Sequence, residues 1–300
     1  MNPQLTAAIE AALAERRGAA VDVVASRTVS GGCIHDARLV ELADGQRFFL
    51  KADVGVPADL FEREAEGLAA LAAVGEIRVP AAPLPGRAGD TVFLLMEAIS
   101  TGRPGSGFFA DFGRRFARFH RASAHRGPAG RFGFDHDNYL GGTPQPNPWC
   151  DDWTEFFRRH RLAHQLELAR RGGRSDPELH RLGERLLARL GDWLDVPEEP
   201  ACLLHGDLWS GNFLADDAGA PVLVDPAVYR GHREADLAMT HLFGGFDAAF
   251  HRAYEEEWPL PPGSAERLEI YQLYHLLNHL NLFGAGYRGR CLAILRRYAG

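Results

Sequence analysis

The chain has 300 residues, 46% of them hydrophobic, and a formal net charge of −7. That is enough apolar content for one large or two modest globular domains, and too acidic a balance for a nucleic-acid or anionic-membrane partner. Its four cysteines (Cys33, Cys150, Cys202, Cys291) are scattered with no CxxC pair, which suits a reducing cytoplasm and gives no zinc signature.

Asn2 and Pro3 open a helix predicted to run to about Arg17, with an N-cap and a proline in the first turn. The opening residues lack the basic-then-apolar order of a signal peptide. Three strand-like runs follow at 21–29, 37–42 and 47–51, the first two joined through Gly31-Gly32 and the last two through an Asp44-Gly45 turn. Apolar residues then recur every three or four positions from 57 to 74, a long helix, and "TVFLLM" (91–96) reads as a buried strand. Helical periodicity dominates from 108 to 124, 152 to 171, 176 to 194, and from about Glu234 onward. Short strands are expected only at 201–204, 212–215 and 221–224. Ile270 to Tyr287 has no formal charge, but Gln272, His275, Asn278, His279 and Asn281 recur at helical spacing, so a buried amphipathic helix is expected rather than a membrane span. The pattern is an α+β chain in two lobes: a small β-rich N-terminal lobe (1–97) with one long helix, a Gly- and Ser-rich connection (98–107), and a larger, mostly helical C-terminal lobe (108–300).

The strongest chemical signal is "LLHGDLWSGNFL" (203–214) followed by "VLVDPA" (222–227). Asp207 and Asn212 stand five apart in a loop between two strand-like segments, and Asp225 ends the next strand. Phosphoryl transfer needs this layout: one carboxylate to meet a substrate hydroxyl, with an amide oxygen and a second carboxylate for magnesium. Lys51 is the sole lysine among thirty-three basic residues, and it ends an apolar strand. A compact ammonium fits between a strand and the phosphates of ATP where a planar guanidinium is too broad. In protein-kinase-like folds such a lysine is paired by a helix carboxylate. The next helix offers Glu62, Glu64 and Glu66, of which Glu64 lies at the edge of the apolar face. A lone lysine without Gly-Lys-Ser/Thr excludes a Walker-type phosphate loop. "VSGGCIHDA" (29–37) is then a turn whose backbone amides, at Gly31 and Gly32, cover the nucleotide phosphates. Glu97, Ala98 and Ile99 take the hinge position beside adenine.

With these residues in place, the chain resembles the fructosamine kinase (ketosamine-3-kinase) family of the protein-kinase-like superfamily, which also holds aminoglycoside and choline kinases. The likeness is carried by "HGDLWSGN", by "FGFDHDNYLGGTPQPNPWCDDWTEFF" (132–157), and by "DPAVYRGHREADLAMTHLFGGF" with the following "IYQLYHLLNHLNLFG". It implies an ATP- and Mg²⁺-dependent enzyme that phosphorylates the third-carbon hydroxyl of ketosamines, whether small molecules or glycated proteins, as a monomer or weak homodimer. In that reading Asp207 orients the hydroxyl, Asn212 and Asp225 hold magnesium, and Lys51 with Glu64 orders the phosphates. Trp209 is either an aromatic platform under the sugar or a core support for the loop. His205 braces the loop, Asp236 anchors it, and the 138–153 segment is structural. The competing readings are another small-molecule kinase of the same superfamily, acting on an aminoglycoside, choline or a sugar, and a pseudokinase that binds ATP without catalysis. Cys33, at the tip of the phosphate-binding turn, is a candidate redox-sensitive thiol.

Overall fold

A computed structural model describes residues 1–29, 36–196 and 199–299. Gly31, Gly32 and Cys33, and with them the expected phosphate-covering turn and redox thiol, lie outside the described residues. The chain forms two compact units, Met1–Phe108 with Phe213–Asp225, and Phe109–Asn212 with Pro226–Gly300.

Helix α1 (Pro3–Arg17) starts where the Asn2 side chain accepts from Leu5 N–H at 2.7 Å, and it stops at Gly18 in the left-handed region. Strands β1 (Val23–Thr28), β2 (Asp36–Leu42) and β3 (Arg47–Val54), helix α2 (Leu60–Val74), and strands β4 (Leu84–Ala88) and β5 (Thr91–Glu97) follow. The five strands form one antiparallel sheet in the order β1-β2-β3-β5-β4. Leu5, Ile9 and Leu13 of α1 pack on Val40, Leu50, Ala52, Phe93 and Leu95 of the sheet. Strand β4 escapes sequence reading because Pro85 and Gly86 break the apolar pattern; an edge strand tolerates both.

Helix α3 (Phe108–Ala124) begins the helical part. The hairpin β6 (Asn138–Leu140) and β7 (Thr143–Gln145), unforeseen in sequence, comes before α4 (Trp153–Phe157), a π-helical turn (Arg158–Ala163) and α5 (His164–Arg171). Helices α6 (Pro177–Arg189) and α7 (Gly191–Leu194) lead to β8 (Cys202–Leu204). Strands β9 (Phe213–Ala215) and β10 (Pro221–Leu223) pair as the hairpin that belongs to the first unit, a return that no linear division of the sequence contains. Strand β11 (Tyr229–Gly231) pairs antiparallel with β8, and α8 (Glu234–Leu242), α9 (Ala248–Glu257), α10 (Ser264–Phe283) and α11 (Arg288–Tyr298) complete the second unit. Its core runs from Trp153, Phe156 and Phe157 through Leu182 and Leu186 to Tyr271, Leu277 and Leu295. The uncharged 270–287 stretch is thus mostly α10, with Ile270, Leu273, Tyr274 and Leu277 buried. Among the described residues no helix is long and apolar enough to cross a membrane.

Within this core, Gly113 of α3 lets two backbones touch: a Cβ there would lie 2.1 Å from the Phe250 carbonyl oxygen of α9. Backbone cannot rotate away as a side chain can, so overpacking applies. Gly113→Ala is expected to destabilise the protein by about 1–3 kcal/mol, read as a lower urea midpoint; an unchanged midpoint would contradict this close approach.

Candidate active site

The pleat of β3 decides where its lysine goes. Leu50 and Ala52 bury themselves against α1, so Lys51, between them, emerges on the opposite face. There its ammonium, 7% exposed, donates to Glu64 Oε1 of α2 at 2.7 Å and to Asp225 Oδ1 at 2.6 Å. Burial works to lower the pKa of Lys51, but Asp225 and then Glu64 outweigh it and hold the group above its ordinary value, firmly charged. The helical phase separates the three candidate glutamates: Phe61, Ala65 and Leu68 face the core, Glu64 sits beside them, and Glu62 and Glu66 are exposed, Glu66 pairing with Arg63. The second partner, Asp225, follows β10 with φ of 55°. That left-handed conformation costs a non-glycine residue about 1–2 kcal/mol, with Asp among the most tolerant. The hairpin that presents it is pinned within its own unit: Leu223 N–H donates to Arg78 O at 2.9 Å, and Arg78 Nη1 to Asp216 Oδ2 at 2.9 Å.

Glu97 ends β5, and its carboxylate is engaged by the Arg78 guanidinium and the Ala81 N–H. Ala98 and Ile99 follow, half-buried, and Gly102 N–H then donates to Ala215 O of β9 at 3.0 Å. Glu97 therefore shapes the connection with its side chain.

In the second unit, the loop after β8 is held by one buried carboxylate. Asp236, on α8, accepts from His205 N–H at 2.7 Å through Oδ2 and from Gly206 N–H at 2.8 Å through Oδ1, while His120 Nε2 lies 3.2 Å from Oδ2. Burial opposes the charge on Asp236, yet His120 and these contacts keep its carboxyl below the usual range. His205 braces the loop with its backbone, accepting from Ala227 N–H at 2.9 Å. Gly206 has φ of 81°, and a Cβ there would lie 1.9 Å from the Ala227 carbonyl oxygen, so the arginine that H-R-D loops carry at this middle position cannot fit. Asn212 Nδ2 donates to the Asp207 backbone oxygen at 2.8 Å and to Asp207 Oδ2 at 3.0 Å, coupling two of the site residues read from sequence. With Nδ2 committed in this way, Oδ1 is the Asn212 atom suited to a cation. Trp209 lies half-buried in the same loop, over Gly211, where a Cβ would meet its ring at 2.4 Å, and edge-on to Phe243.

The sequence marked the 138–153 segment as structural but gave neither its contacts nor the neighbour of Asp207 on α10. Asn138 and Gln145 of the β6–β7 hairpin donate to the carbonyls of Val228 and Ala227 at 2.7 and 3.0 Å, with Tyr274 OH donating to Gln145 Oε1 at 2.6 Å. Through the buried Asn138 and Gln145, the β6–β7 hairpin is therefore a brace for the residues that follow Asp225 in the chain. His275 of α10 also lies beside Asp207, Nδ1 to Oδ1 at 3.9 Å. The signal for it was present, since polar residues recur on one face of an otherwise apolar helix.

A family model described as fructosamine kinase matches residues 5–299. The chain belongs to the fructosamine kinase family. It is 42% identical over 272 residues to a Synechocystis sp. protein named as a probable ketoamine kinase, covering 90% of this chain and 89% of that one. It is 40% identical over 286 residues to the chloroplastic protein-ribulosamine 3-kinase of Oryza sativa subsp. japonica, covering 94% and 80%. A crystal structure assigned as a fructosamine-3-kinase from Haemophilus somnus superposes with a TM-score of 0.86 at 29% identity over 97% of each chain. An aminoglycoside phosphotransferase crystallised with ADP and hygromycin B superposes with a TM-score of 0.66 at 20% identity over 97% and 99%; the fold is protein-kinase-like.

Several histidines of this fructosamine kinase family member are buried without a cationic role. Burial, reinforced by Arg267 and Arg233, lowers the pKa of His232 to about 3; burial, then His279, does the same to His275. Both are neutral in the fold, whereas an unfolded histidine titrates near 6.5. The unfolded chain therefore binds more protons below about pH 6.5, so stability held above that pH is lost as pH falls toward 3. His120, His241, His251 and His279 shift in the same direction, while Glu199, raised by burial, opposes them at lower pH. The urea midpoint is expected to drop between pH 7.5 and 5.5, with slopes approaching about 1.4 kcal/mol per pH unit for each fully buried histidine. A flat profile would contradict neutral burial.

Proposed function

We propose that this protein is an ATP-dependent kinase that phosphorylates the third-carbon hydroxyl of ketosamines, fructosamine or ribulosamine, borne by a small molecule or a glycated protein. The observation that carries the phosphotransferase reading is the sole lysine, desolvated and held charged between Glu64 and Asp225. A buried ammonium kept charged is suited to phosphate oxygens and cannot act as a general base. The ketosamine acceptor is supported by the family and by the names of its relatives.

The donors offered to a cation are hard oxygens, the amide of Asn212 and the carboxylate of Asp225, which fit magnesium better than softer metals. Bound magnesium would neutralise charge on the transferring phosphates. Lys51 contacts the α- and β-phosphates, and Glu64 keeps its ammonium aimed there. The backbone at Glu97, Ala98 and Ile99 receives adenine. Asp207 accepts a hydrogen bond from the acceptor hydroxyl and points its oxygen at the γ-phosphorus. As the new O–P bond forms, the bond from the γ-phosphorus to the bridging oxygen breaks, ADP leaves, and the hydroxyl proton passes to Asp207. Asn212 Nδ2 holds Asp207 by its Oδ2, so positioning and electrostatics supply most of the acceleration. Trp209 offers a flat apolar face to the sugar ring.

Asp207→Asn keeps the size and polarity of the side chain but loses the charge. Its turnover should fall by about 10²–10⁴-fold, followed by ³¹P NMR of the phosphorylated ketosamine formed from magnesium-ATP and a synthetic fructosamine or ribulosamine. A phosphate resonance coupled to the third-carbon proton is the expected product. ADP formation without it would assign a different acceptor, and an Asp207→Asn rate within tenfold of wild type would remove Asp207 from its role.

A further inference from the structure

His275 is 3% exposed, and its Nδ1 is a buried polar atom with no hydrogen-bond partner. Buried nitrogens of this kind are rare and call for an explanation. The atom faces Asp207 Oδ1 at 3.9 Å, about 0.7 Å beyond hydrogen-bond range. The other carboxylate oxygen, Oδ2, is already held by Asn212 Nδ2 at 3.0 Å.

We propose that His275 is a positioning residue for Asp207, its Nδ1–H closing on Oδ1 as the acceptor engages, so that the carboxylate is gripped at both oxygens and cannot rotate. This inference rests on Asp207 being the group that meets the acceptor hydroxyl. An N–H at each oxygen fixes the plane of a carboxylate about its Cβ–Cγ bond, and a misplacement of an ångström at a reacting centre is costly. Such a grip leaves a lone pair for the hydroxyl. The tautomer follows from the geometry, because a ring lone pair at Nδ1 would repel the carboxylate while an N–H attracts it. The imidazole must also be neutral, since an imidazolium so close would quench the basicity of Asp207. Burial provides for this. The ring is placed by α10, where His279 Nδ1, one turn on, is bonded to the His275 carbonyl oxygen at 2.8 Å. The groups whose field acts on the ring are His279, Asp236 and Arg161; Asp207 is the group whose oxygen Nδ1 faces.

Two measurements test this. The first needs no turnover: ¹⁵N NMR of histidine-labelled wild-type protein, with the His275 signal assigned by its loss in His275→Asn. The expected result is a neutral ring protonated at Nδ1, whose resonance moves in Asp207→Asn. A ring protonated at Nε2 would overturn the proposal, whatever the enzyme's substrate proves to be. The second is kinetic. His275→Leu should lower kcat by about tenfold to a hundredfold with KM for ATP unchanged, and His275→Asn, whose Nδ2–H can occupy the Nδ1 position, should recover most of that loss. Equal losses in both variants, tracking their thermal midpoints, would reduce His275 to a packing residue, and a wild-type kcat in His275→Leu would end the idea. If wild-type protein turns over no ketosamine, the acceptor assignment fails, and the tautomer measurement still decides His275.

Discussion

An ammonium group removed from water must be answered by charge. The free-energy cost of burying Lys51 is several kcal/mol unless counter-charges meet it with good geometry, and the first unit is arranged to meet it. The pleat of β3 turns Lys51 away from the α1 core. The phase of α2 brings Glu64, and not Glu62 or Glu66, to its side of the helix. The hairpin β9–β10 leaves the chain order of the second unit and docks on Arg78 so that Asp225 arrives in a strained backbone conformation. Loss of one partner would leave a buried charge only half answered, which is why three distant segments are committed to one ammonium.

The second unit solves a different problem. A loop that carries chemistry exposes backbone groups that neither helix nor sheet satisfies, and those buried away from water need partners. Asp236 accepts two successive N–H groups of the H-G-D loop, and His205 returns its carbonyl to Ala227. The β6–β7 hairpin continues the task, with Asn138 and Gln145 taking up the carbonyls of Val228 and Ala227. Arg161, fully buried in the π-helical turn, ties this brace to the core: its guanidinium lies 3.9 Å from the Tyr229 ring centroid and donates to Asn147 Oδ1 at 2.7 Å. Polar side chains thus do for the loop what a strand ladder does for a sheet, and they also fix where Asp207 and Asn212 can point.

What could be read from the sequence was what local pattern encodes. Helix α1 carried its own cap, α2 its own periodicity, and β3 its lysine, and Glu64 followed from counting residues along a helix face. The H-G-D-x-x-x-x-N spacing announced the Asp207–Asn212 pair because five residues of loop span one compact turn. Strands β4, β6, β7 and β11 were missed for the opposite reason: they are short, β4, β7 and β11 hold proline or glycine, and β11 exists because the distant β8 pairs with it. The contacts of Lys51 with Asp225 and of His275 with Asp207 join residues far apart in the chain, and periodicity carries no information about which faces will meet. Only the polar stripe on α10 hinted that something there needed partners.

The most direct test is single-turnover phosphoryl transfer from magnesium-ATP to a fructosamine by Lys51→Arg, with folding checked by circular dichroism. Charge is conserved in that variant and only shape changes, so a compact cation required between β3 and the phosphates predicts a rate at least about a hundredfold lower. Transfer within a few-fold of wild type would show that any cation suffices there, and the sole lysine would lose its meaning.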